Sequence, residues 1–178
     1  MAQIKLQADG LNLADTFAFT GTITGAGGGK LLQVQHTNYT TMTSVADLDY
    51  VSTGVTCAIT PSATDSKIFG LFKLQARGSA VNSDDEWGYS CKVTRSGGAA
   101  GDAFEEKSGS GASYSTYFTP ATSAAVTFLT HSSFQFLDTS HATVSEITYT
   151  VYAKCQDADE TIIFHQFPSQ FTLMEISA

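Results

Sequence analysis

Apolar and polar residues alternate over most of this chain. In 86–95, Trp87, Tyr89, Cys91 and Val93 stand against Gly88, Ser90, Lys92 and Thr94. In 146–154, Ile147, Tyr149, Val151 and Ala153 stand against Thr148, Thr150, Tyr152 and Lys154. In 67–77, Ile68, Phe72, Leu74 and Ala76 share one face, with Lys73, Gln75 and Arg77 opposite. A period of two residues is what a pleated strand writes when one face is buried and the other wetter. Further runs at 31–40, 53–61, 114–119, 126–137, 160–167 and 170–177 bring the expectation to about nine strands, split by turn-rich stretches such as PSATDS, VNSDDE and RSGGAAGD. No apolar pattern holds helical spacing over three turns, and LNLADTF, 11–17, has room for one turn at most. Many short strands without helices predict an all-β, antiparallel β-sandwich or a barrel, because a lone sheet would leave an apolar face in water.

Between two strand-like runs, 17–35 (FAFTGTITGAGGGKLLQVQ) dissolves into glycine. Glycine at this density makes a flexible joint. The break divides an extended N-terminal segment, 1–30, from a head domain, 31–178. In the leader, Ile4, Leu6, Leu11, Leu13, Phe17, Phe19 and Ile23 are the apolar positions. Its alternating stretches IKLQA and FAFTGTIT fit edge-on strand addition to a neighbouring chain, so these residues form the candidate attachment segment. A second glycine- and serine-rich stretch, 96–113, reads as a long exposed loop.

Composition strengthens the all-β reading. Of 178 residues, 42% are hydrophobic and only 15% charged, while Ser and Thr make up about a quarter. Thr, Val, Ile, Tyr and Phe favour pleated, half-buried positions. The net charge of −8 argues against nucleic acid, which needs a basic surface to displace counterions, and against docking on anionic lipid. No run approaches the ~18 apolar residues of a membrane helix. MAQIKLQADG lacks the basic start and apolar stretch of a signal peptide, which points to a soluble chain made in the cytoplasm.

The chemistry-bearing residues select no reaction. Cys57, Cys91 and Cys155 are odd in number, widely spaced and set in strand-like runs, so they read as small buried hydrophobes. His36, His131, His141 and His165 never fall within four residues of one another. The first two and His165 lie in expected strands and read as ordinary sheet residues. The acidic clusters 83–88 and 156–160 match no complete calcium loop and fit solvated turns better. GAGGGK lacks the GK[ST] ending and the helix of a phosphate loop. The expectation is therefore a protein that is not an enzyme, with no catalytic residue, no metal and no cofactor.

Several stretches, in order, carry a resemblance: GKLLQVQHT and YVSTGVTCAITPSATDSKIFGLFKLQ within 29–75, FQFLDTS at 134–140, ITYTVYAK at 147–154 and FTLMEISA at 171–178. They resemble a family common in marine and cyanobacterial bacteriophages, whose members run GKVLQV, ITPSSTSSKI, LDSP, TYKVQ and a terminal TLMEIS-type strand. The leader, 4–28, is likewise similar to segments that precede heads in phage fibre proteins. The chain departs from the family in 82–107, which is longer and more acidic, and in FLDTS, which lacks the proline. The resemblance implies a jelly-roll-like sandwich and a virion structural protein, made in the host cytoplasm. It implies a homotrimer comparable in outline to tumour-necrosis-factor-like heads.

In such a trimer the spare apolar residues Tyr39, Tyr50, Phe69 and Leu71, on the less hydrophobic sides of their strands, are expected to be covered by neighbouring copies. Three functions follow as expectations. One is a tail-fibre-like or receptor-binding head, joined to other virion proteins through 1–30 and contacting a host-surface glycan. Another is a capsid decoration protein, and a third a free carbohydrate-binding module. Trp87, Tyr89, Tyr114 and Tyr117 are the candidate surface-binding residues for stacking on sugar rings, with core packing as their alternative role.

Overall fold

In 147–155 the alternation is followed to the letter. Ile147, Tyr149, Val151 and Ala153 are wholly buried, and Thr148, Thr150, Tyr152 and Lys154 between them are half-buried. Repeated along the chain, this pattern builds two antiparallel sheets in a computed structural model that describes residues 29–80, 87–98, 101–105, 116–118, 126–156 and 161–178. The leader residues Ile4, Leu6, Leu11, Leu13, Phe17, Phe19 and Ile23 lie outside the described residues, as do Tyr114 and both acidic clusters apart from Trp87, Gly88 and Gln156.

The strands in chain order are β1 (Leu31–Tyr39), β2 (Thr43–Val45), β3 (Val51–Ile59), β4 (Lys67–Ala80), β5 (Trp87–Ser96), β6 (Gly101–Glu105), β7 (Thr116–Phe118), β8 (Val126–Asp138), β9 (Ile147–Cys155), β10 (Ile162–Phe164) and β11 (Ser169–Ile176). No helix occurs among the described residues. In the first sheet the long β4 pairs with β8 along one edge. Along its other edge it pairs with β11 and then β10, which in turn pair with β1 and β2. In the second sheet β9 lies between β3 and β5, and the far edge of β5 takes β7 and then β6. The chain crosses between sheets from β2 to β3, β3 to β4 and β4 to β5, and again on either side of β8 and of β9. Most pairing is thus between segments far apart in sequence.

Two of these strands depart from the sequence expectation. The short β2 was not expected, and β6 replaces part of the exposed loop assigned to 96–113. Neither is held by its own propensity: β6 is held by the longer β5, and β2 by β10, which is equally short but is itself paired to β4.

The inner faces meet in an aromatic core. Phe72 stacks on Phe134 at 5.0 Å and tilts against Phe171 at 5.7 Å. Tyr89 meets Phe164 edge-on at 5.3 Å, joining the two sheets. Cys57, Cys91 and Cys155 are buried free thiols, as their setting in strands suggested. Burial pushes the Cys57 thiol up from its ordinary value, against hydrogen bonds with Thr37 and Ala58, so it stays protonated and unreactive at neutral pH.

Two glycines make room for rings. Gly54 sits at φ +84° in the irregular stretch of β3, where a Cβ would overlap the Tyr39 hydroxyl. Gly70 in β4 lies under the Phe136 ring, which occupies the volume a Cβ would need. Gly70→Ala is expected to cost about 1–3 kcal/mol through displacement of that ring, read as a lowered urea midpoint with unchanged slope.

Candidate functional site

A sheet face that met only water would be polar throughout. On the outer side of the first sheet an apolar row crosses all four long strands among polar residues. Direct cross-strand partners stand on the same side of a sheet, so the register assigns this face residue by residue. One row runs Val34, Met174, Phe69, Leu137 across all four strands β1, β11, β4 and β8. The next runs His36, Thr172, Leu71, Gln135. A bulge at the start of β1 turns both Leu31 and Leu32 outward beside Ile176, and Leu129 stands opposite Arg77 at the far end. Leu31, Val34, Leu71, Leu129 and Leu137 are 41–51% exposed. Single exposed apolar residues are common on proteins, whereas a contiguous band of them marks a contact surface.

The charge on this face is one-sided. Lys67, Lys73 and Arg77 project from β4 on the same side as Phe69 and Leu71. Among the described residues no carboxylate joins them, although the chain carries −8 overall. The carboxylates of these strands turn inward instead. Asp138, at the end of β8, is held by Arg95, by the Tyr149 hydroxyl at 2.7 Å and by the Ser140 N–H at 2.9 Å. Glu175, on β11, accepts from the Ser62 N–H at 2.7 Å, the Ser62 hydroxyl at 2.8 Å and Gln33 Nε2 at 2.6 Å. The face is therefore apolar and basic on an acidic protein.

The four residues expected to be spare apolar surface divide evenly. Phe69 and Leu71 lie on this face. Tyr39 instead packs against the core, its ring edge-on to His165 at 4.8 Å. Tyr50 lies between Lys92 and Lys154, each Nζ 5.0 Å from its ring centre, where the π-face attracts both ammonium groups. Sequence reasoning missed Val34, Leu129, Leu137 and Met174. For Leu129 and Leu137 the signal was β8, which is apolar at both parities (Phe128, Phe134 and Phe136 against Leu129 and Leu137) and so needs cover on both sides. Val34 and Met174 join the row only through pairing.

Of the candidate sugar-stacking residues, Tyr89 is corrected. It is wholly buried, with its ring on Phe164 and its hydroxyl donating to Ser132 at 2.8 Å, because it shares the inward parity of Cys91 and Val93. The backbone register puts Tyr117 opposite Gly88 and Phe118 opposite Trp87; the side chains of Trp87 and Tyr117 lie outside the described residues, with Tyr114.

The histidines have local partners. His36 in β1 meets the Thr172 hydroxyl at 2.9 Å, and His131 lies outward on β8. His165 is not a strand residue: it follows β10 at φ +66° and is 1% exposed. Its Nε2–H donates to the Thr53 carbonyl at 2.9 Å, so Nδ1 accepts from the Ser169 hydroxyl at 2.6 Å. Burial, opposed by that carbonyl, lowers its pKa and keeps it neutral. Ser169 is also wholly buried, so this serine–histidine pair ties the turn after β10 to both sheets and is closed to a substrate. His141 is buried too, with ring nitrogens 2.8 Å from the Ser66 carbonyl and 3.1 Å from that of Thr143. Among the described residues, no three of His, Cys, Asp and Glu are grouped to hold a metal ion.

The chain matches no protein-family model and no curated protein.

Proposed function

We propose that this chain is a non-enzymatic bacteriophage virion structural protein, a homotrimeric tail-fibre-like or receptor-binding head anchored through residues 1–30. The observation that carries the reading is the apolar band across β1, β11, β4 and β8, a surface that three copies around an axis would remove from water. The jelly-roll form of the sandwich is supported by strand order. The sequence β1-β11-β4-β8 facing β3-β9-β5-β6 interleaves early and late strands in each sheet, as two nested Greek keys do. Engagement of the buried histidines by backbone carbonyls and a buried hydroxyl favours a scaffold role over catalysis.

A capsid decoration protein is the second reading, favoured by the same face if it seats on shell subunits through many weak contacts. Copy number per particle separates the two: tens or fewer for a fibre, hundreds for a decoration protein. The carbohydrate-binding module loses support with Tyr89 in the core. Host-surface glycan binding by the head remains part of the first reading.

The anchoring role is tested by deleting residues 1–28. This leaves Lys30, whose carbonyl accepts from the Ser177 N–H at 2.9 Å, so the start of β1 stays clamped to the end of β11. The truncated head is expected to keep its strand spectrum and unfolding midpoint but to be missing from purified virions. Incorporation at wild-type copy number would overturn the anchoring role.

A further inference from the structure

We propose that the apolar and basic face of one copy receives the acidic turn Asp47–Leu48–Asp49 of the next, so that the subunits join head-to-side around a closed ring. The inference rests on the trimeric reading above and names the surface that covers the face. Along the outward side of β4 the order is Lys67, Phe69, Leu71, Lys73, then Gln75, which is buried and accepts from the Phe167 N–H, and Arg77: cations bracket an apolar pair. Four strands ~4.8 Å apart and about eight residues long at ~3.3 Å each span roughly 15–20 by 27 Å, on the order of 500 Å² in flat projection. That is a large share of the ~800 Å² each partner commits to a stable interface.

Charge decides how a second copy sits there. A two-fold contact of the face with itself would gather Lys67, Lys73 and Arg77 of both copies in one interface, with no carboxylate from the described residues of these strands to offset them. The neighbour must therefore offer a different, acidic surface, which makes the contact heterologous and closes a ring if the rotation permits. The turn between β2 and β3 carries the complementary pattern. Leu48 is 51% exposed and stands between the exposed Asp47 and Asp49. The turn is held in place, because the Asp47 carbonyl accepts from the Cys155 N–H at 2.7 Å at the end of β9. It lies where the chain passes from the first sheet to the second, away from the outer face of the first sheet, so one copy can use both surfaces. Leu48 then packs near Leu71, with Asp47 and Asp49 directed to Lys73 and Arg77.

The test is the mass of the purified full chain in solution, by sedimentation and native mass spectrometry, with circular dichroism to confirm that each variant is folded. The wild type is expected to be a trimer that dissociates more readily as salt rises. Leu71→Asp is expected to be monomeric. Asp47→Lys/Asp49→Lys and Lys73→Glu/Arg77→Glu should each weaken assembly about ten- to a hundredfold, and the four changes together should restore it to within a few-fold of wild type. A monomeric or dimeric wild type overturns the proposal. So does a trimer indifferent to Asp47→Lys/Asp49→Lys, or a fourfold variant without rescue; either of these would leave the trimeric head standing. A rescued trimer in a protein never found in virions would instead sink the virion role and keep the contact.

Discussion

Replacing Asp138 with Ala is expected to destabilise the head by about 3–5 kcal/mol, more than any single truncation of the outer face. Arg95 on β5 and Tyr149 on β9 stand opposite each other on the inner side of the second sheet, and Asp138 reaches them from the first. Arg95 and Asp138 are 7% and 4% exposed. Burial alone would raise the Asp138 carboxyl. Hydrogen bonds from Arg95, Ser140 and Tyr149, with the guanidinium charge, outweigh it and hold the group below its ordinary value of 3.8. Tyr149 is pushed the other way, by burial and then by the carboxylate it donates to, so it remains a donor at neutral pH. Without Asp138 the guanidinium keeps its burial and loses its counter-charge. That is the costly half of breaking a buried pair. The triple variant Arg95→Met/Asp138→Leu/Tyr149→Phe, which removes charge and hydroxyl together, should therefore be more stable than Asp138→Ala. Urea denaturation at pH 7 reads both. Equal midpoints for Asp138→Ala and wild type would show that the cluster contributes nothing.

Much of the architecture is legible from residue order because the dominant signal is local. Alternation in 67–77, 86–95 and 146–154 assigns inward and outward residues without reference to their partners, and the inward sets are buried wherever their side chains are described. Gln75 and Ser90, assigned outward, are wholly buried as well. The same alternation places Tyr89 inward with Cys91 and Val93, so its candidacy as a sugar platform conflicted with its own strand. The Arg95–Asp138 pair is not legible, since 43 positions and a change of sheet separate its members. His165 reads as a strand residue because nothing in IIFHQF announces a left-handed backbone at that histidine. The outer face was half legible. Phe69 and Leu71 are apolar at polar parity in one strand, but the row they belong to exists only once β1, β11 and β8 are set in register. A binding surface built across strands is a property of pairing, which a one-dimensional pattern records only as an unexplained apolar residue in each strand.

Acid should weaken the head through Glu175, and Glu175→Gln should remove most of that dependence while lowering stability at neutral pH. Glu175 is wholly buried at the end of β11, and its carboxylate ties β1 and the turn at 60–66 to the last strand. Burial raises its pKa, but hydrogen bonds from Gln33, Ser66 and Ser62 prevail and bring it from 4.5 down to about 2. A folded-state value below the unfolded one means that the unfolded chain takes up the proton first. The stabilisation is then complete above pH 4.5 and is lost as pH falls towards about 2. Asp138 adds to the same acid limb, below its ordinary 3.8. In Glu175→Gln one end of the new amide must present N–H groups to donors. Gln33 can turn its oxygen to meet them only by giving up its 2.6 Å bond to the Thr60 carbonyl. The expected cost is about 1–3 kcal/mol at pH 7. Between pH 5 and 3 the variant should lose visibly less of its remaining stability than the wild type, as followed by urea midpoints across that range. Parallel acid limbs in the two proteins would mean that the proton taken up on unfolding goes elsewhere.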